Sequence, residues 1–212
     1  DLVELISRLG YQVYLAPFSA NGKPLHVQGF LSAFNRAALR NAEQLQALAQ
    51  TGVPLLGLDP AMTLVYRQEY LKVPGLNECP EVALVQEWLL KVMPERTPDA
   101  QPKAFRLLAH CTEKTNAPAA TRQWEQVFER AGLKLATQAT GCCGMSGTYG
   151  HEARNRQTSA VIYEQSWARQ VQASAEQGEA LATGYSCRSQ VKRQSDQALR
   201  HPLQVLLQTL RR

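Results

Sequence analysis

Apolar positions along this chain alternate between two rhythms. Tyr11 to Leu15 is a short apolar run and predicts a strand. Gln28 to Ala49 follows with Phe30, Leu31, Phe34, Ala38, Leu39, Leu45 and Leu48 at helical spacing. Gly52 ends that pattern, and Val53 to Leu58 predicts a second strand. Helical segments are predicted around Thr63–Leu71 and over Pro80–Met93, where Pro80 suits a first helical turn. Residues 94–102 hold Pro94, Pro98 and Pro102 and read as a linker. Beyond it, strands at Phe105–Ala109, Leu133–Gln138 and Ala180–Thr183 alternate with helices at Pro118–Ala131, Glu152–Gln172 and Ser186–Gln194. Pro202–Leu210 closes the chain as an amphipathic helix.

Strands alternating with helices predict an α/β fold with parallel sheets and right-handed crossovers. The order of elements repeats. Ala16–Pro24 and Ala139–Gly147 each follow a predicted strand and precede a long helix, and so do Gly57–Met62 and Thr183–Cys187. Two pseudo-repeated halves are therefore expected, each a small parallel sheet with flanking helices: residues 1–93, the linker 94–102, and residues 103–212. In this alignment Cys187 falls opposite Met62, and the adjacent Cys142 and Cys143 fall opposite Ser19–Asn21, so the first half lacks the thiols.

Composition narrows the function class. The chain has 212 residues, 44% hydrophobic and 19% charged, enough to bury a core without disulfides. Its net charge of +5 is scattered, with no basic stretch interleaved with aromatics, so no nucleic-acid partner is expected. A mildly basic surface suits an acidic partner domain or an anionic membrane. No apolar run reaches the roughly 18 residues of a membrane helix. The acidic start reads as helix rather than signal peptide, and the chain is expected to continue from a longer parent. A cytoplasmic location is expected, with a peripheral position at the inner face of the membrane as a variant.

The five cysteines are Cys79, Cys111, Cys142, Cys143 and Cys187. An odd count with a vicinal pair argues against a secreted disulfide framework and for metal binding or thiol chemistry in a reducing compartment. Cys111, the Cys142-Cys143 pair and Cys187 each follow a predicted strand of the second half. In an open parallel sheet those strand ends share one edge, where ligands bind. Four thiols there suit an iron–sulfur cluster, with zinc or a metal-free role as alternatives. Gly141, Gly144 and Gly147 allow close backbone approach, so that N–H groups can face sulfur. His110 and His151 are candidates to support the site. Cys79 reads as a packing residue, His201 as structural, and Trp88, Trp124 and Trp167 as core or domain-contact residues. No residues for substrate oxidation stand out.

The segments His110–Asn116, Gly141–Glu152 and Ala182–Gln190 resemble the Cys-Cys-Gly cysteine-rich domain family. That family includes the cysteine-rich subunit of heterodisulfide reductase, the iron–sulfur subunit of glycolate oxidase and a subunit of anaerobic glycerol-3-phosphate dehydrogenase. The likeness is narrowest to the C-terminal region of large D-2-hydroxyacid dehydrogenases that carry FAD and iron–sulfur clusters and oxidise D-2-hydroxyglutarate or D-lactate. The resemblance implies an electron-transfer domain holding a cluster, of 4Fe-4S type, on Cys111, Cys142, Cys143 and Cys187. Its implied partners are the flavin and ferredoxin-like domains of the same parent chain and an acceptor, a quinone or carrier protein. The family's final Cys-x-x-Cys is here Gly184-x-x-Cys187, one thiol short. A zinc-binding or metal-free docking domain is the alternative.

Overall fold

The structure, a computed structural model, describes residues 1–98, 101–173 and 177–211. Within them lie eleven α-helices and two small, wholly parallel sheets, so the expected α/β class holds. The first sheet pairs β1 (Leu55–Gly57) with β2 (Val82–Leu84), with Leu55 opposite Val82. The second has the order β4-β3-β5, with β3 (Ala104–Leu108) between β4 (Lys134–Thr137) and β5 (Glu179–Ala182). The central strand shows burial on nearly every residue, as expected of a strand covered on both faces.

Helices fill the intervals. The first half holds α1 (Leu2–Arg8), α2 (Lys23–Val27), α3 (Leu31–Ala49), α4 (Pro60–Thr63) and α5 (Val85–Val92). The second holds α6 (Cys111–Asn116), α7 (Ala120–Arg130), α8 (Arg156–Ser166), α9 (Ala168–Gln172), α10 (Tyr185–Ser195) and α11 (Pro202–Leu210).

Several sequence expectations are corrected. Tyr11–Leu15 is not a strand. Tyr11 packs edge-on against Trp88, ring centroids 5.1 Å apart, while Tyr14 and Leu15 are exposed. A short apolar run becomes a strand only where a sheet edge receives it. The helix expected over Pro80–Met93 begins at Val85, because Val82–Leu84 pairs with β1 first. The helix expected over Glu152–Gln172 is broken into a 3-10 turn at Ala153–Asn155, α8 and α9. Around Thr63–Leu71 only α4 and a 3-10 turn at Tyr70–Lys72 form. The segment expected to link the halves is tied down where it is described: Arg96 donates its N–H to the Arg130 carbonyl and its guanidinium to that of Thr209. Asp99 and Ala100 of that segment lie outside the described residues.

The largest apolar cluster draws on both ends of the chain. Leu5 of α1 and Val85 and Leu89 of α5 are fully buried with Leu107 of β3, Trp124 of α7 and Leu206 of α11. A second cluster (Leu108, Met145, Tyr163, Trp167, Ala182 and Val191) takes in Cys143 and Cys187. A third, around Phe34, Ala38 and Tyr70, sits in the first half, with Cys79 packed against it as expected of a packing residue. Trp124 and Trp167 are core residues, and Trp88 is half-buried.

Candidate metal centre at one sheet edge

All three strands of the second sheet run the same way, so their carboxyl ends share one edge. Beyond β3 the chain turns into α6, whose first residue is Cys111. Beyond β4 an irregular segment carries Cys142 and Cys143. Beyond β5, α10 carries Cys187 in its first turn. The fold therefore collects thiols from positions 111, 142, 143 and 187.

The thiols interact in succession. Cys142 stands between Cys111 and Cys143, and Cys143 between Cys142 and Cys187. None is in a disulfide. Hydrogen bonds from Cys111 and Cys143 pull the Cys142 thiol far below its usual range, and the Gly144 N–H helps, lying 3.3 Å from Cys142 Sγ. Those same contacts, with burial, push the Cys111 and Cys143 thiols up. Cys143 and Cys187 are buried, whereas Cys111 and Cys142 are half-exposed, so the centre opens outward from the apolar core. Among the described residues, no three His, Cys, Asp or Glu side chains converge closely enough to grip a single metal ion. In donor chemistry, a row of four soft thiols fits an iron–sulfur centre.

The segment bearing the vicinal pair is held from α8. The Ser166 hydroxyl accepts the Gly141 N–H, and Trp167 Nε1 donates to the Gly141 carbonyl at 3.1 Å. Ser159 donates to the Gly144 carbonyl at 2.8 Å, and Gln190 of α10 donates to Ser159. Gly144 has φ +89°, and a Cβ there would lie 2.2 Å from the Ser159 carbonyl oxygen, so only glycine fits. Across the site, Lys114 of α6 donates to the carbonyl and hydroxyl of Thr140.

His110 is buried at the start of α6, where its Nδ1 accepts the Thr112 N–H at 3.1 Å. Its Nε2 lies 3.4 Å from the Ser186 hydroxyl in the first turn of α10. Burial lowers its pKa, while Asp59 and Cys142 act in the opposite direction. His151 instead ends a 3-10 turn at Tyr149–His151 with its side chain exposed.

Two acids escaped the sequence reading. Glu113 is wholly buried behind the thiols, accepting from Thr183 (2.5 Å), Gln86 (3.0 Å) and Trp124 Nε1 (3.1 Å). Burial raises its carboxyl to about 7 against those donors. Its signal was an acid in the third helical position after a strand, the usual place for a capping side chain. Asp59, from the half that lacks the motif cysteines, accepts N–H bonds from Ala61 and Met62 with one oxygen and from Tyr185 with the other. Asp59-Pro60 marked it as a helix cap, but no spacing rule pointed to Tyr185. In the first half, Asn21 donates to the Met62 carbonyl at 3.1 Å, joining the two segments aligned with the cysteine pair and Cys187.

No family model matches the chain, and no solved structure matches it. Curated relatives do. The chain is 69% identical over 210 residues to D-2-hydroxyglutarate dehydrogenase of Pseudomonas putida, covering 99% of this chain and 20% of that protein. It is 44% identical over 214 residues to the protein of that name from Escherichia coli, covering 100% and 21%. It is 26% identical over 220 residues to one of the subunits making up the anaerobic glycerol-3-phosphate dehydrogenase of E. coli, covering 99% and 54%. The chain thus spans about a fifth of the length of the D-2-hydroxyglutarate dehydrogenases it matches. Over its whole length it corresponds to the C-terminal part of D-2-hydroxyglutarate dehydrogenases, and the glycerol-3-phosphate dehydrogenase polypeptide is a related protein of the Cys-Cys-Gly type.

Proposed function

We propose that this chain is the electron-transfer domain of an FAD-linked D-2-hydroxyacid dehydrogenase acting on D-2-hydroxyglutarate, with D-lactate as the other candidate substrate. The names of its relatives support the oxidoreductase class and the first substrate. The observation that carries the cluster reading is the meeting of Cys111, Cys142, Cys143 and Cys187 at one sheet edge, beside the Gly144 N–H. When bound, an iron–sulfur cluster supplies one-electron storage between a flavin and an acceptor. The chain's own residues bind and shield it. Cys143 and Cys187 anchor it from the core, and Cys111 and Cys142 face outward. The Gly144 amide, which bonds Cys142 Sγ, stabilises thiolate charge there.

In this reading the electrons arrive from the flavin and ferredoxin-like domains of the parent and leave to a quinone or carrier protein. Residues 1–93 form a copy of the cysteine-bearing unit 103–212 that lacks the motif cysteines, joined to it through 94–102. A cytoplasmic location suits free thiols in a reducing compartment. No helix among the described residues is long and apolar enough to cross a membrane.

A metal-free docking role is the second reading, favoured by the exposed Tyr14, Leu15 and Phe18 on one irregular segment. Iron and acid-labile sulfide analysis with EPR, on parent enzyme purified anaerobically, separates the two. The cluster reading expects both elements and a paramagnetic signal on reduction of this domain. It further expects Cys142→Ser to abolish turnover with an artificial acceptor while flavin reduction by substrate persists. Stoichiometric zinc without iron, or unchanged turnover by that variant, sinks it.

A further inference from the structure

Gly184 is the last residue before α10 and has an ordinary extended backbone, φ −77° and ψ 132°. Its conformation admits any residue. Space is what forbids one. A Cβ on Gly184 would lie 2.3 Å from His110 Cδ2 and 3.1 Å from Cys187 Sγ. The His110 ring is buried and pinned through Nδ1 to the Thr112 N–H, so it has little freedom to retreat. With Nδ1 accepting, the neutral ring carries its proton on Nε2. That nitrogen sits by Ser186, in the turn that also carries Cys187.

We propose that His110 stands in for the side chain missing at position 184: its ring fills that volume beside Cys187 and presents one N–H at the first turn of α10. His110 is thus a positioning residue for the thiol set and not a metal ligand, because Nδ1 is engaged by the backbone and Nε2 is a donor. Glycine at 184 and histidine at 110 are then one paired feature. The N–H part rests on the proposed cluster; the steric part does not.

The test uses full-length parent protein. Gly184→Ala is expected to raise amide hydrogen exchange in β3, β5 and the first turns of α6 and α10. His110→Asn keeps the cap, because the amide oxygen can accept the Thr112 N–H, and it shortens the side chain. The double variant, Gly184→Ala with His110→Asn, is expected to regain most of the lost protection. Equal loss from Gly184→Ala in both backgrounds overturns the pairing. This arm decides the steric claim even if the parent holds no iron, an outcome that would defeat the cluster reading alone. In cluster-loaded parent, His110→Asn is expected to leave iron content unchanged and lower the midpoint potential in an EPR redox titration, since donors near cluster sulfur raise it. Loss of iron would make His110 a ligand, and an unchanged potential would remove its N–H from the site; either result overturns that role.

Discussion

Two histidines cap helices in the same way. His110 starts α6 and His201 starts α11, each accepting an N–H two residues on through Nδ1 at 3.1 Å. His201, structural as its sequence position suggested, lies deep in the core edge-on to Trp124. Burial, helped by Arg188, holds its pKa down to about 3. A depressed histidine contributes stability that is complete above its unfolded pKa near 6.5 and is lost as pH falls toward the folded value. Stability should therefore decline between pH 6.5 and 3 by up to about 1.4 kcal/mol per pH unit from this group. His201→Asn keeps the cap and should flatten that slope in urea titrations at pH 7, 5.5 and 4; an unaltered slope would rule out His201 as its source. At Gly144, φ +89° and the Ser159 carbonyl predict that Gly144→Ala destabilises by about 2 kcal/mol or more. The shift in urea midpoint measures it, and a change under about 0.5 kcal/mol, typical of tolerated surface changes, would contradict it.

At the scale of elements, the strands leading to the cysteines were legible, as was β1 within the expected Val53–Leu58, but its partner β2 was not. Phe105–Ala109, Leu133–Gln138 and Ala180–Thr183 match β3, β4 and β5 to within a residue or so. Their apolar runs are bounded by glycine, proline or a cysteine segment. Val82–Leu84 was hidden because its apolar residues run straight into those of α5, and a three-residue strand is defined by its partner more than by its own rhythm. Within the site, the four thiols could be placed from strand ends alone, whereas Glu113 and Asp59 could not, since their roles arise from partners 70 and 126 residues away. Asp59 joins the starts of α4 and α10 with one carboxylate. Asp59→Ala should cost about 1–2 kcal/mol, the range for a lost helix cap. Faster hydrogen exchange is expected in both α4 and the first turn of α10; a change confined to α4 would show that the tie to Tyr185 contributes nothing.

Across the whole molecule, the main core crosses the expected boundary between halves. Leu89 of α5 is fully buried in the cluster that contains Leu107 of β3 and Leu206 of α11. Leu89→Ala should cost about 2–5 kcal/mol, as for other buried leucines. It should shift a single transition in which the second sheet unfolds along with the first. Two resolved transitions, with the second sheet unaffected, would show the halves to be independent instead.

The sheet order β4-β3-β5 also bears on the timing of assembly. As the chain leaves the ribosome, β3 and β4 can pair first, with the thiols at 111, 142 and 143 already near one another. The other side of β3 stays bare until β5 emerges, and the thiol at 187 comes with it. Three thiols, including the vicinal pair, must therefore wait unshielded beside an open strand edge, the state in which a chain is most prone to oxidation and mispairing. The four-thiol edge is therefore complete only once β5 and the turn into α10 are made, so residues 179–187 set when the thiols can act together.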